Sequence, residues 1–185
     1  MGYHGGMLIC IGGFPGSGRN RLSEALANAL DFHYFRLAPF KQHPLFMREH
    51  ILLHKGGTAY SDELLLRIYK HVVSHFRQLS KMYPDMIIKD HFTREVPREF
   101  LFTEAEKYFG PPLIIWTESS QEESTSRLHE VLDTKKRKLE TRLKIQDDIR
   151  ARFEPFTRPV HSVQYINNSA ALDQALNLVR EHRGF

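Results

Sequence analysis

The chain of 185 residues and 21.7 kDa is long enough for one sizeable core and short for two, so one domain is expected. With 41% apolar and 26% charged residues it matches neither a disordered nor a fibrous chain. A net charge of +4 permits an anionic partner without choosing among nucleotide, nucleic acid and membrane surface. Cys10 is the only cysteine, which excludes an intrachain disulfide and a cysteine-based zinc site and predicts a reducing, cytoplasmic setting. The stretch Met1 to Gly18 lacks the basic start of a signal peptide, and no segment is long and apolar enough to span a bilayer.

In chain order, Met7 to Ile11 is a compact apolar run ending in Gly12-Gly13, as a buried strand would. From Arg19 onward Leu22, Ala25, Leu26, Ala29 and Leu30 form the stripe of an amphipathic helix. Residues 32–37 (FHYFRL) read as a second strand and 39–57 as a broken helix. Ser61 can cap the next helix, whose buried face runs from Leu64 to Phe76. Met86 to Asp90 reads as a strand that delivers an acid at its C-terminal end, and a helix containing Pro97 is stopped by Gly110 and the two prolines after it. Leu113 to Thr117 is the next strand. Residues 122–153 read as mostly helical and basic, 162–166 (SVQYI) as a last strand, and Ser169 as the cap of a terminal helix. Strands alternating with helices predict an α/β domain, its parallel sheet covered on both faces.

Seven of the eleven glycines fall within the first 18 residues. The run Gly13-Phe14-Pro15-Gly16-Ser17-Gly18-Arg19-Asn20 sits between the first strand and helix, where a phosphate-binding loop belongs. The general pattern is Gly, four residues, Gly, Lys, then Ser or Thr. Glycines let consecutive N–H groups curl inward toward phosphate oxygens, and the helix N-terminus behind them adds partial positive charge. Here Arg19 replaces the lysine and Asn20 the hydroxyl. Arginine keeps the charge on a planar fork, and asparagine can offer a carbonyl oxygen to Mg²⁺. The alternative is a glycine-rich turn without a ligand.

These residues, with Leu22, Ala25 and Leu26 behind them, resemble the opening of the small P-loop kinases, a group that includes adenylate, shikimate, gluconate and polynucleotide kinases. The likeness is nearest to the zeta-toxin-like branch of predicted kinases with an AAA-type P-loop. Leu30 to Phe35 is similar to the family's second strand. Ile87-Ile88-Lys89-Asp90 with Arg94 and Arg98 resembles its third strand and Asp…Arg signature. Ile114-Ile115-Trp116, Glu122-Glu123 and Arg127 resemble its fourth strand and the helix beginning its lid, and Arg152 to Pro155 with Tyr165-Ile166-Asn167 its closing segment. The resemblance implies a three-layer α/β/α P-loop NTPase fold, a five-stranded parallel sheet of order 2-3-1-4-5, and phosphoryl transfer from ATP with Mg²⁺.

Within that expectation Gly13 to Asn20 cradle the nucleotide, Arg19 neutralises its phosphates, and Asn20 and Asp90 hold the metal. Asp90 is alternatively the base toward the acceptor, or a strand-end acid bonded to the next loop. Arg94 and Arg98, four apart, either clamp an anionic acceptor or sit solvated. Thr134 to Arg152 carries eight basic against three acidic residues, a local excess larger than the whole chain's +4. It reads as a lid around 127–152 with Arg127 and Arg137 as its first cations, as a solvated helix face, or as a nucleic-acid stripe. His71 and His75 read as a helix surface pair rather than metal ligands. The expected partners are a nucleotide and a small acceptor. The rival functions are a degenerate loop that binds phosphate without transferring it, and a basic nucleic-acid-binding module.

Overall fold

The computed structural model describes residues 6–132 and 136–184, the side chains of 131–138 excepted. Its elements alternate in the expected order: β1 (Leu8–Gly13), α1 (Arg19–Leu30), β2 (His33–Phe35), α2 (Ala38–Lys41), α3 (Pro44–Gly56), α4 (Asp62–Val73), α5 (Phe76–Met82) and β3 (Met86–Lys89). The second half adds α6 (Glu95–Phe109), β4 (Leu113–Glu118), α7 (Gln121–Leu132), α8 (Lys136–Ala151), β5 (His161–Gln164) and α9 (Asn168–Arg183). The five strands form one parallel sheet in the order β2-β3-β1-β4-β5, with Ile11 level with Lys89 and Gly13 level with Thr117. This is the strand order that the resemblance to the small P-loop kinases implies.

Alternation along the strands divides the core. Leu8, Cys10, Met86, Ile88 and Ile114 face α4 and α6, whereas Ile9, Ile11, Ile87, Ile115 and Val163 face α1 and α9. Because both faces are covered, the strands read as continuous apolar runs. Boundaries differ from the periodicity at the second and last strands, which run His33–Phe35 and His161–Gln164, and in three further places. The helix capped by Ser61 stops at Val73, and Phe76 begins a separate short helix. The basic stretch is two helices rather than one. The terminal helix is capped by Asn167, whose side chain accepts from the Ala170 amide at 2.8 Å, rather than by Ser169. Among the described residues no helix is long and apolar enough to cross a membrane.

The consequence for the site is topological. The order of strands reverses beside β1, and in open α/β sheets ligands bind outside the C-terminal strand ends at such a reversal. The glycine loop leaves β1 at that position, with Asp90 following β3 on one side and Thr117 near the end of β4 on the other.

Candidate active site

The loop from Gly13 to Gly18 is fixed by contacts that only glycine permits. Gly18 has φ 86°, and a Cβ there would lie 2.2 Å from the Tyr165 ring. At Gly16, with φ 81°, it would lie 2.2 Å from the Ser124 carbonyl oxygen. Ser17 Oγ lies 2.6 Å from Thr117 Oγ1, which donates to the Gly12 carbonyl at 2.9 Å, so the loop is laced to the end of β4. The amides of Gly16, Gly18, Arg19 and Asn20 have no acceptor among the described residues. Consecutive free amides at the positive end of α1 form an anion-binding concavity.

Helices α7 and α8 rest on this loop. Arg127 donates to the Gly16 and Tyr165 carbonyls at 3.1 and 3.0 Å and stacks on the Tyr165 ring. Gln146 donates to the Pro15 carbonyl at 3.1 Å, and the Arg150 guanidinium lies 4.4 Å from the Phe14 ring centre. A cleft of about 360 Å³ lies between loop and helices, lined by residues 14–21 together with Arg127, Leu128, Arg142, Ile145 and Tyr165. The Arg137 side chain, expected to be a lid cation, lies outside the described residues.

Arg19 turns back onto its own loop. One terminal nitrogen donates to the Gly13 carbonyl at 2.6 Å and lies 2.6 Å from His91 Nδ1. Burial and the neighbouring Arg19 charge push the His91 pKa well below its usual value, so the imidazole is neutral and accepts from the guanidinium. Arg19 therefore meets only neutral acceptors, and its charge is not cancelled by direct pairing.

Asp90 is 6% exposed, and both of its carboxylate oxygens are engaged. Oδ1 accepts from Lys41 Nζ at 2.6 Å and from the His91 amide at 2.8 Å, and Oδ2 from the Tyr69 hydroxyl at 2.7 Å. Burial alone would raise its pKa, but the Lys41 charge and these hydrogen bonds hold it well below the usual carboxylate range. The Tyr69 hydroxyl is pushed the other way by burial and by Asp90, so it remains a donor. Asn20 Oδ1 accepts from Lys89 Nζ. Burial, helped by Arg19, lowers the Lys89 pKa to about 8.

A second cleft of about 340 Å³ opens on this side, lined by Arg19, Asn20, Glu24, Tyr34, Arg36, Leu37, Ala38, Lys41, Lys89, Asp90 and His91. Arg19, Asn20 and His91 are walls of both clefts.

Arg98 lines neither cleft, and Arg94 lines instead a small cavity of about 30 Å³ whose walls include Lys41, Tyr69, Asp90 and His91. Arg94 grips both oxygens of Asp62 at 2.6 and 2.8 Å and donates to the Arg152 carbonyl at 2.6 Å. Arg98 is fully buried, donating to the carbonyls of Phe92 at 3.2 Å and Glu154 at 2.6 Å, and to that of Pro155. Its role lies beneath the site. Phe92 has φ 52°, a strained value for a bulky residue, and the turn it makes directly follows Asp90 and His91. Packing of its ring against Phe102, with the Arg98 bond to its carbonyl, holds that turn.

Sequence reasoning missed His91, Lys89, Tyr69 and Thr117 as parts of this site. Only the strand-end position of Lys89 and His91, on either side of Asp90, carried a signal. His71 and His75 pack against each other and Phe40 and line neither cleft, and no group of three or more His, Cys, Asp or Glu among the described residues can hold a metal.

No model of a protein family matches the sequence, and no curated protein does. Solved structures match in fold. A gluconokinase from Sinorhizobium meliloti 1021 superposes with a TM-score of 0.67 at 17% identity, over 96% of this chain and 95% of that one. A sugar kinase from Janibacter sp. HTCC2649 gives 0.68 at 11% identity, over 94% of each chain.

Proposed function

We propose that this protein is a P-loop phosphotransferase that moves the γ-phosphoryl group of ATP to a small anionic acceptor. The observation that carries this reading is the pair of clefts separated by one wall, with free loop amides on one side and a cation-rich chamber on the other. A donor nucleotide and an acceptor held in the two clefts would meet at Arg19 and His91. The kinase folds of the gluconokinase and the sugar kinase agree with it.

In this reading the loop amides and Arg19 bind the β- and γ-phosphates, and Arg127, Leu128 and Tyr165 border the rest of the nucleotide. Arg36 faces an acceptor carrying a carboxylate or phosphate, and Lys41 and Lys89, bonded to Asp90 and Asn20, stand between that acceptor and the nucleotide phosphates. The acceptor oxygen forms a bond to the γ-phosphorus as the bond to the β–γ bridging oxygen breaks, and ADP leaves. Asp90 lies at the acceptor side, where its ionised carboxylate holds Lys41 and the His91 amide in place beside the attacking hydroxyl, whose proton passes to water. Positioning and charge neutralisation supply most of the rate in such transfers.

The divalent cation usual in this chemistry would fall to Asn20 and Asp90. Their oxygens are held by Lys89, Lys41, Tyr69 and the His91 amide. The residues present do not fit a protein-held ion. That observation also favours a second reading, in which the loop binds nucleotide without transferring phosphate.

Incubation with γ-labelled ATP and a panel of sugar acids, sugar phosphates and phosphate-free sugars decides between the two. Label transfer to an anionic member is expected. Tight ATP binding with no transfer to any acceptor would establish the second reading.

A further inference from the structure

We infer that the loop binds nucleotide phosphates without a protein-held divalent cation, the ammonium groups of Lys89 and Lys41 standing where such an ion would be coordinated. The inference rests on the phosphate-binding reading above and goes beyond it.

Mg²⁺ demands a near-octahedral oxygen shell at about 2.0–2.1 Å and is generally anchored by one or two protein oxygens plus phosphates and water. The loop asparagine and the acid after β3 are the two oxygen donors placed for that task. Each is bound by a lysine: Lys89 donates to Asn20 Oδ1, and Lys41 to Asp90 Oδ1 at 2.6 Å. The other Asp90 oxygen is closed by Tyr69 at 2.7 Å. A metal ion entering here would have to displace two ammonium groups and would be repelled by Arg19, which lines the same cleft. Glu24 is the only other carboxylate lining it among the described residues. Two ammonium groups carry the same formal charge as one divalent ion, and they remain fixed to the chain whether or not a ligand is present.

The replacement of the family hydroxyl by asparagine fits this arrangement. A Ser or Thr hydroxyl on the first turn of α1 is short. The longer Asn20 side chain carries its carbonyl oxygen across to the lysine at the end of β3.

ADP, which keeps two phosphates but cannot donate a γ-phosphoryl group, is the appropriate probe. Calorimetric titration in excess EDTA and in excess Mg²⁺ is expected to give affinities within about threefold of each other. Lys89→Met, close in length and uncharged, is expected to lose about tenfold or more in EDTA, as removal of a charge-assisted phosphate contact implies. Lys41→Met is a second variant should the first unfold, with thermal unfolding as the check on both, and a loss of the same order is expected. An affinity of the natural protein at least about tenfold weaker in EDTA than in Mg²⁺ would overturn the inference while leaving the phosphate-binding reading intact. Unchanged ADP affinity in folded forms of both variants would overturn it too. No ADP binding in either medium would overturn the phosphate-binding reading, and this inference with it.

Discussion

Two sets of cations lie within this fold, and they are used differently. Around α6, Arg94 meets a carboxylate with three of its contacts: two to Asp62 and one to Glu154 at 3.1 Å. Arg98 fills its surroundings with carbonyl oxygens and the Phe156 ring, 4.1 Å away. Around the glycine loop, Arg19 and Arg127 donate to backbone carbonyls and, for Arg19, to a neutral imidazole. In the first region Arg94 is paired with carboxylates and Arg98 is sealed away from solvent with Glu99 3.8 Å from its Nε, which fixes geometry. In the second, charge is anchored but not neutralised, which leaves a positive field where the free amides converge. Arginine count alone therefore says little about binding. What an arginine donates to decides whether its charge is available.

The largest separation of the two regions should come from Arg98→Met. Removing a buried guanidinium strands the carbonyls of Phe92, Glu154 and Pro155, and a buried acceptor left without its donor costs about 1–3 kcal/mol. Denaturant unfolding is the measurement. Because the Phe92 turn positions Asp90 and His91, the folded fraction should also lose turnover. A variant as stable as the natural protein would show that the carbonyls find other donors.

Arg19→Ala should act the other way, weakening nucleotide binding more than it weakens the fold. A charge-assisted contact is worth about 1.5–3 kcal/mol, a loss of roughly 10- to 150-fold in affinity. The amides of the loop remain, so residual binding should survive. Calorimetry that finds unaltered affinity would remove Arg19 from phosphate binding and reduce it to a brace between Gly13 and His91.

This division was partly legible in the sequence. β1, the glycine loop and α1 were legible because their signals are local: an apolar run, a glycine cluster and a helical stripe in immediate succession. The sheet order came through resemblance, and the strands agree with it. The shared fate of Arg94 and Arg98, both taken up by the 152–156 segment, was not legible. Their four-residue spacing puts them on one helix face, but that face is buried by residues 152–156, which fold back from a distant part of the chain. Lys89 and Lys41 reach the loop from β3 and α2, so their pairing with Asn20 and Asp90 is a product of strand order and crossover. Tyr69 reads as one more apolar position of α4, and its ring is core, but its hydroxyl closes the second oxygen of Asp90. Periodicity reports which face is buried, not which polar atom at its edge finds a partner.

Acid should separate the regions by pH. The hydrogen bonds from Arg94 hold Asp62 below its ordinary 3.8, so the stability they confer is complete above that value and is lost as the pH falls through the lower folded-state value. His91 has the opposite chemistry but the same sign. It is neutral in the fold, with its pKa lowered from 6.5 by burial, so the unfolded chain binds a proton first and stability declines as the pH falls below about 6.5. Unfolding midpoints followed from pH 8 to 3 should fall in two stages. Asp62→Asn should reduce the lower stage, which Asp62 shares with Asp90, and His91→Gln the upper, which His91 shares with the other partly buried histidines His33, His50, His54 and His71. A single transition unaffected by either variant would assign the acid sensitivity elsewhere.

The smallest expected effect tests the outer limit of the positive field. Arg142 is exposed on α8 and lines the loop cleft, so its charge reaches a bound phosphate through solvent rather than through a dry interior. Exposed charge pairs are worth about 0.2–1 kcal/mol, and Arg142→Ala should therefore weaken nucleotide binding by only about 1.4- to 5-fold. Salt gives the distinguishing signature. The screening length falls from about 10 Å at 0.1 M to about 3 Å at 1 M, so the difference between variant and parent should shrink toward nothing at high salt. The loss from Arg19→Ala should persist there, because that guanidinium is held inside the loop. Stability should be unchanged, since an exposed side chain at the cleft rim supports little packing. An Arg142→Ala loss as large as that of Arg19→Ala, and equally resistant to salt, would mean that α8 closes further over the ligand. The second set of cations would then extend from the loop into the helix above it.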